Sequence, residues 1–120
     1  MHKLLILIDE TAETDEFHEL WPQFLSLAES MPGLRREATT RVNRVLFGRL
    51  SCALMHELFF EDTAALQTAM NSPEGVKTGQ LLQYMTRGRV ILLLGDHRED
   101  DVENLKKYRR ASAAPVEPAE

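Results

Sequence analysis

A chain of 120 residues, 43% hydrophobic and 28% charged, has the makeup of one ordinary globular domain. Its net charge of −5 argues against sequence-independent nucleic-acid binding, which needs a basic face to neutralise phosphates. The basic pairs Lys106-Lys107 and Arg109-Arg110 lie among acidic residues and read as solvated surface. The lone cysteine, Cys52, has no internal disulfide partner and fits a reducing compartment. The apolar run Leu4–Ile8 stops at Asp9-Glu10, too short for a signal-peptide core, and no stretch approaches the ~20 apolar residues of a membrane span. A cytoplasmic protein with neither nucleic acid nor membrane as partner is expected.

Leu4 to Ile8 has the length and composition of a strand buried on both faces. The segment from Thr14 to Met31 is helical, with Phe17, Leu20, Trp21, Phe24, Leu27, Ala28 and Met31 on one stripe. Thr14 is its N-cap, Asp15 and Glu16 suit the helix dipole, and Pro32-Gly33 stops it. Pro22 removes the amide that would bond the His18 carbonyl, so a kink or break is expected near Trp21.

Leu34 to Gly48 reads as a long, polar second strand, and its arginines place it at a sheet edge. Ala53 to Phe60 is the third strand. Leu54, His56, Leu58 and Phe60 share one of its faces, and Ala53, Met55, Glu57 and Phe59 the other. A helix from Asp62 buries Ala65, Leu66, Ala69 and Met70. Ser72 then caps a further helix that starts on Pro73 and runs to about Tyr84 through Val76, Leu81 and Leu82. Val90 to Leu94, bracketed by Gly88 and Gly95, is the last strand and is expected to be buried. Residues 97–120 form a charged extension, with an exposed helix over Asp100 to Arg110 and disorder from Ala111 to Glu120. One set of helices covers only one face of such a sheet. The other needs a partner, and a second copy of the chain is the simplest.

Five motifs occur in suitable order and spacing: Phe17-His18-x-x-Trp21, Pro32-Gly33-Leu34-Arg35-Arg36, Glu57-Leu58-Phe59-Phe60, Ala65-Leu66 and Ser72-Pro73-Glu74-Gly75. In this the chain resembles EthD-type proteins, a family named for ethyl tert-butyl ether degradation, over roughly residues 3 to 95. The resemblance implies an α+β fold: a ferredoxin-like βαββαβ sandwich with an antiparallel four-stranded sheet, spanning residues 1–96 and pairing into a dimeric α/β barrel. It also implies small-molecule work without a cofactor. The family commonly carries a second histidine about seven residues after the first; here Leu25 stands at that position.

His18 leads the candidate catalytic residues, because an imidazole titrates near working pH and Pro22 frees its carbonyl. The alternative is a half-buried helix residue bonded to the backbone. Glu57 alternates with Met55 and Phe59 and so points towards the barrel interior, as an interface ion pair with Arg41 or Arg44 or as a general acid or base. His56 faces the helices as a satisfied core histidine. Trp21, Phe24, Phe59, Tyr84 and Met85 either line an apolar ligand pocket or simply pack the core. Cys52 reads as an inert thiol. The four histidines show no metal-ligand spacing. The expected function is binding of an apolar or aromatic metabolite in a helix–sheet cleft of a homodimer, with cofactor-free acid–base or oxidative chemistry on it. A non-catalytic accessory protein is the alternative, and haem binding at His18 a further one.

Overall fold

The computed structural model describes residues 1–104. The expected helix over Asp100 to Arg110 and the tail from Ala111 lie largely outside the described residues. Strand β1 (His2–Ile8) is followed by a single 3-10 turn (Glu10–Ala12), helix α1 (Asp15–Glu29), strands β2 (Arg36–Arg41) and β3 (Leu54–Phe60), helices α2 (Thr63–Asn71) and α3 (Pro73–Thr86), and strand β4 (Val90–Asp96). The sheet order is β2-β3-β1-β4, antiparallel throughout. This is the expected α+β ferredoxin-like sandwich, with helices on one face of the sheet.

Register decides which side chains each face holds. Ile6 lies between His56 and Leu92, and Leu5 between Glu57 and Leu93. Alternation then sends Leu4, Ile6, Ile8, Leu54, His56, Leu58 and Phe60 towards the helices, all of them buried. Phe17, Phe24 and Ala28 of α1, Leu66 and Ala69 of α2, and Leu82 and Met85 of α3 close this core. Burying a side chain the size of Phe24, which is 0% exposed, stabilises by about 2–3 kcal/mol.

Helix starts follow the sequence. Thr14 Oγ1 accepts from the Phe17 amide at 3.2 Å, and Asp62 Oδ1 accepts from the Ala65 amide at 2.8 Å. Ser72 ends α2 and caps α3 at once: its hydroxyl donates to the Ala69 carbonyl at 2.6 Å and accepts from the Gly75 amide at 3.0 Å. Pro73 follows as the first helical residue, where a missing amide costs nothing. The joint is so close that only glycine fits at 75: a Cβ there would lie 2.1 Å from the Ala69 carbonyl oxygen. The other end of α3 closes with Arg87 (φ 54) and Gly88 (φ 78) left-handed, their amides returning to Tyr84 and Gln83.

Several expectations need correcting. Helix α1 runs unbroken through Pro22. The proline sits on the exposed side, while Phe17, Phe24 and Ala28 anchor the helix on both sides of it. Strand β2 is six residues rather than a run to Gly48. Beyond the Val42–Ala53 backbone bond the chain leaves the sheet, and Leu46 and Phe47 are 83% and 98% exposed. The β-branched and aromatic residues there suggest a strand, but among the described residues no strand lies beyond the β2 edge to pair with them. Strand β4 is not buried: as the other edge it leaves Ile91, Leu92, Leu93 and Leu94 half-exposed on both faces. Strand β1 is buried on its helix side, and Leu5 and Leu7 are half-buried on the other. Met70, expected to be buried by its helix, is exposed. No helix among the described residues is long and apolar enough to cross a membrane.

Candidate functional site

Three places on the fold bring chemistry together. The first lies where α1 ends over β2. His56 is 1% exposed, and its ring is edge-on to Trp21 at 5.4 Å and to Phe24 at 5.9 Å. Its Nδ1 lies 2.7 Å from Thr39 Oγ1 and its Nε2 3.2 Å from Glu37 Oε2. Burial lowers the His56 pKa to about 4, against the pull of Glu29 and Glu57. Burial first, and then the neighbouring Glu29 carboxylate, raises Glu37 to about 7. Glu29, Glu37, His56 and Thr39 thus form one hydrogen-bonded run around a neutral imidazole. With Nε2–H donating to Glu37, the Thr39 hydroxyl donates to Nδ1. The expected satisfied core histidine is therefore found. Its carboxylate partners were not foreseen, because only the β2–β3 register places residues 37 and 39 beside 56.

The second place is the sheet face away from the helices. Lys3 Nζ and Glu57 Oε1 are 2.9 Å apart there, each side chain about one-fifth exposed. Leu5, Leu7, Met55, Ile91 and Leu93 surround them. Within one copy the partner of Glu57 is thus Lys3; Arg41 instead reaches Glu13 at 3.1 Å. Phe59 lies on this face too, buried under the Arg36 guanidinium 4.3 Å from its ring centre and edge-on to His97.

The third is a cleft between α3 and the sheet, an apolar cavity of about 70 Å³. Leu4, Ile6, Leu58, Leu82 and Leu92 wall it, with Met70, Gly75, Thr78 and Gly79 along the helices. Gly79 lies at its exposed side, where a Cβ would meet nothing within 4 Å. Leu92 and Leu94, 50% and 59% exposed, continue the apolar wall outward.

The candidates from the sequence are distributed over these places. His18 is half-exposed on α1, with its Nε2 3.9 Å from Glu13 and its ring edge-on to Phe17. Trp21 and Phe24 stack on one another beside His56. Phe59 is on the opposite sheet face. Tyr84 is 60% exposed, and its hydroxyl donates to Glu16 at 3.2 Å, tying α3 to α1. Met85 is core. Cys52 is buried, and burial pushes its thiol up, away from the reactive thiolate. Among the described residues, no group of three or more His, Cys, Asp and Glu side chains could hold a metal ion.

No protein-family model matches the chain, and no curated protein does. Solved structures do. An ethyl tert-butyl ether d (ethd) family protein from Bacillus halodurans is 27% identical with a TM-score of 0.74, covering 82% of this chain and 99% of its own. A dimeric ferredoxin-like protein of unknown function from Jannaschia is 19% identical with a TM-score of 0.61, covering 80% and 98%. A dimeric ferredoxin-like protein of unknown function from Thermobifida fusca is 11% identical with a TM-score of 0.59, covering 80% and 89%. The likeness to the EthD family, first visible in five short motifs, holds for the folded chain from β1 to β4.

Proposed function

We propose that the chain is an EthD-like small-molecule protein that works as a homodimer and binds an apolar or aromatic metabolite in the cleft between α3 and the sheet. The cleft carries this reading: a small cavity walled by leucines and isoleucine, bordered by Gly79 and continued by the half-exposed Leu92 and Leu94, where it must widen to admit an aromatic ring. The dimer is supported by the uncovered apolar face around Leu5, Leu7, Ile91 and Leu93 and by relatives described as dimeric. Packing two such faces together makes the α/β barrel and encloses the Lys3–Glu57 pair. None of the candidates His18, Glu57, Trp21, Phe24, Phe59, Tyr84 and Met85 is among the residues walling this cleft, so a cofactor-free acid–base or oxidative step would fall to Glu57 on the sheet face that the dimer encloses or to His18 at the surface of α1. One observation favours a non-catalytic accessory role instead: the residues walling the cleft include no titratable side chain.

The cleft is tested with anilinonaphthalene sulfonate, an aromatic dye that brightens in apolar sites. Saturable binding at one site per chain is expected. Gly79→Leu fills the cleft from an exposed helix position and is expected to weaken the dye at least about tenfold while far-ultraviolet circular dichroism stays unchanged. Equal dye affinity in the filled variant would remove the cleft as the site.

A further inference from the structure

The β2–β3 loop carries an apolar knob that no other described residue covers. Leu46 and Phe47 are 83% and 98% exposed, and Val45 beside them is 37% exposed. A phenylalanine held this far out of the core forgoes most of the ~2–3 kcal/mol that burial supplies. The same chain also carries an unfilled hollow. A cavity of about 280 Å³ opens where β1 ends and β4 begins, lined by Leu7, Asp9, Gly88, Arg89, Val90 and Ile91, with Ser51 from the returning end of the β2–β3 loop.

Register fixes how knob and hollow are related. Arg41, Leu54, Ile8 and Val90 form one row across the sheet. The loop leaves from the Arg41 end of this row, on the β2 edge. The hollow lies at its Val90 end, on the β4 edge. The exposed tip, with Leu46 beside Thr40 and Val42, and the hollow therefore share one end of the sheet but lie towards opposite edges, although Ser51 of the returning loop borders the hollow. Strands β2 and β4 also run in opposite directions, since each step across the order β2-β3-β1-β4 reverses direction. A two-fold axis along the strands preserves direction. It brings the β2 edge of one copy beside the β4 edge of the other as an antiparallel neighbour, and it does so at both seams. The knob of each copy then meets the hollow of its partner. Both edges, open in one copy, are covered by the same step.

Charge agrees with this placement. Arg44 and Arg49 flank the knob, while Asp9 lines the hollow and Glu10 follows it. Arg89 is the opposing charge at the hollow, set against these two carboxylates. Size agrees too, because the hollow is larger than one aromatic side chain.

We infer that Leu46 and Phe47 of each copy seat in the Leu7–Val90–Ile91 hollow of a second copy, so that the β2–β3 loop is the arm that closes the barrel seam. This rests on the homodimer proposed above and adds where its two seams are locked.

The test is a directed cross-link. In a Cys52→Ser background, a chain with Phe47→Cys and a differently tagged chain with Ile91→Cys are co-expressed, purified together and treated with a short bismaleimide. A covalent species carrying both tags, at dimer mass, is expected. Phe47→Ala is the companion variant. Its side chain touches no core residue in one copy, so it is expected to keep the parent circular dichroism while raising the dimer dissociation constant by about 10- to 100-fold in sedimentation. A stable dimer that gives no mixed cross-link and tolerates Phe47→Ala would overturn the arm-in-hollow contact and leave the homodimer standing. A monomer at micromolar concentration would overturn both.

Discussion

Gly75→Ala is expected to destabilise the protein by about 3 kcal/mol, whereas Gly79→Ala, one helical turn later, is expected to stabilise it by up to about 1 kcal/mol. The two substitutions add the same methyl group to the same helix. At 75 it would meet backbone: the Ala69 carbonyl oxygen at 2.1 Å and the Met70 oxygen and carbon at 2.8 and 2.9 Å. Those atoms belong to the last turn of α2, which Ser72 holds against α3 through both of its hydroxyl bonds. The clash is relieved only by opening the joint, which would release Leu66 and Ala69 from the core. At 79 nothing lies within 4 Å, so alanine brings only its better helix propensity. Urea unfolding of the two variants beside the parent decides the matter. Equal midpoints for both would show that α2 and α3 do not meet as closely as described.

The second expected effect is a stability profile that falls slightly on both sides of a plateau, because two opposite proton shifts nearly cancel. The raised Glu37 pKa means that the folded state keeps a proton that the unfolded chain loses. Its contribution is therefore complete below 4.5 and is lost as pH rises through about 7. The lowered His56 pKa has the opposite sense. Its contribution is complete above 6.5 and is lost as pH falls through about 4. Between these limits folding in effect moves one proton from the histidine to the glutamate with no net uptake, so stability is flat around pH ~5.5. The uncompensated alkaline flank runs only from about 6.5 to about 7, so it is expected to cost no more than about 0.7 kcal/mol and to be complete by about pH 8. Glu37→Gln keeps a hydrogen-bonding group against His56 and cannot ionise, so its alkaline flank is expected to disappear in thermal melts across that range. A flank that survives unchanged in Glu37→Gln would assign it to another group.

Much of this architecture is written locally. Thr14, Asp62 and the Ser72-Pro73 pair mark helix starts because an N-cap needs a short oxygen-bearing side chain, and all three do so in the fold. Alternation along residues 54–60 assigned His56 to the helices and Glu57 away from them, as the register confirms. Local signals misled where sheet position overrode composition. Val90–Leu94 has the makeup of a central strand and is an edge. Val45-Leu46-Phe47 has the makeup of a strand and is an exposed loop. In both cases apolar residues lie outside the core of one copy of the chain, and periodicity does not tell a buried apolar run from an exposed one. The same holds for Pro22, whose local cost is met by packing on both sides of it.

The sequence by itself determined the order of elements, their caps, the faces of β3 and the likeness to EthD-type proteins, because each depends on residues within a turn or two of one another. The tertiary structure alone decided the partners. It set Lys3 rather than an arginine against Glu57, placed Glu29, Glu37 and Thr39 around His56, and set the cleft beside Gly79. Those pairings join residues separated by up to 54 positions, and cross-strand register and helix packing, not composition, bring them within bonding distance.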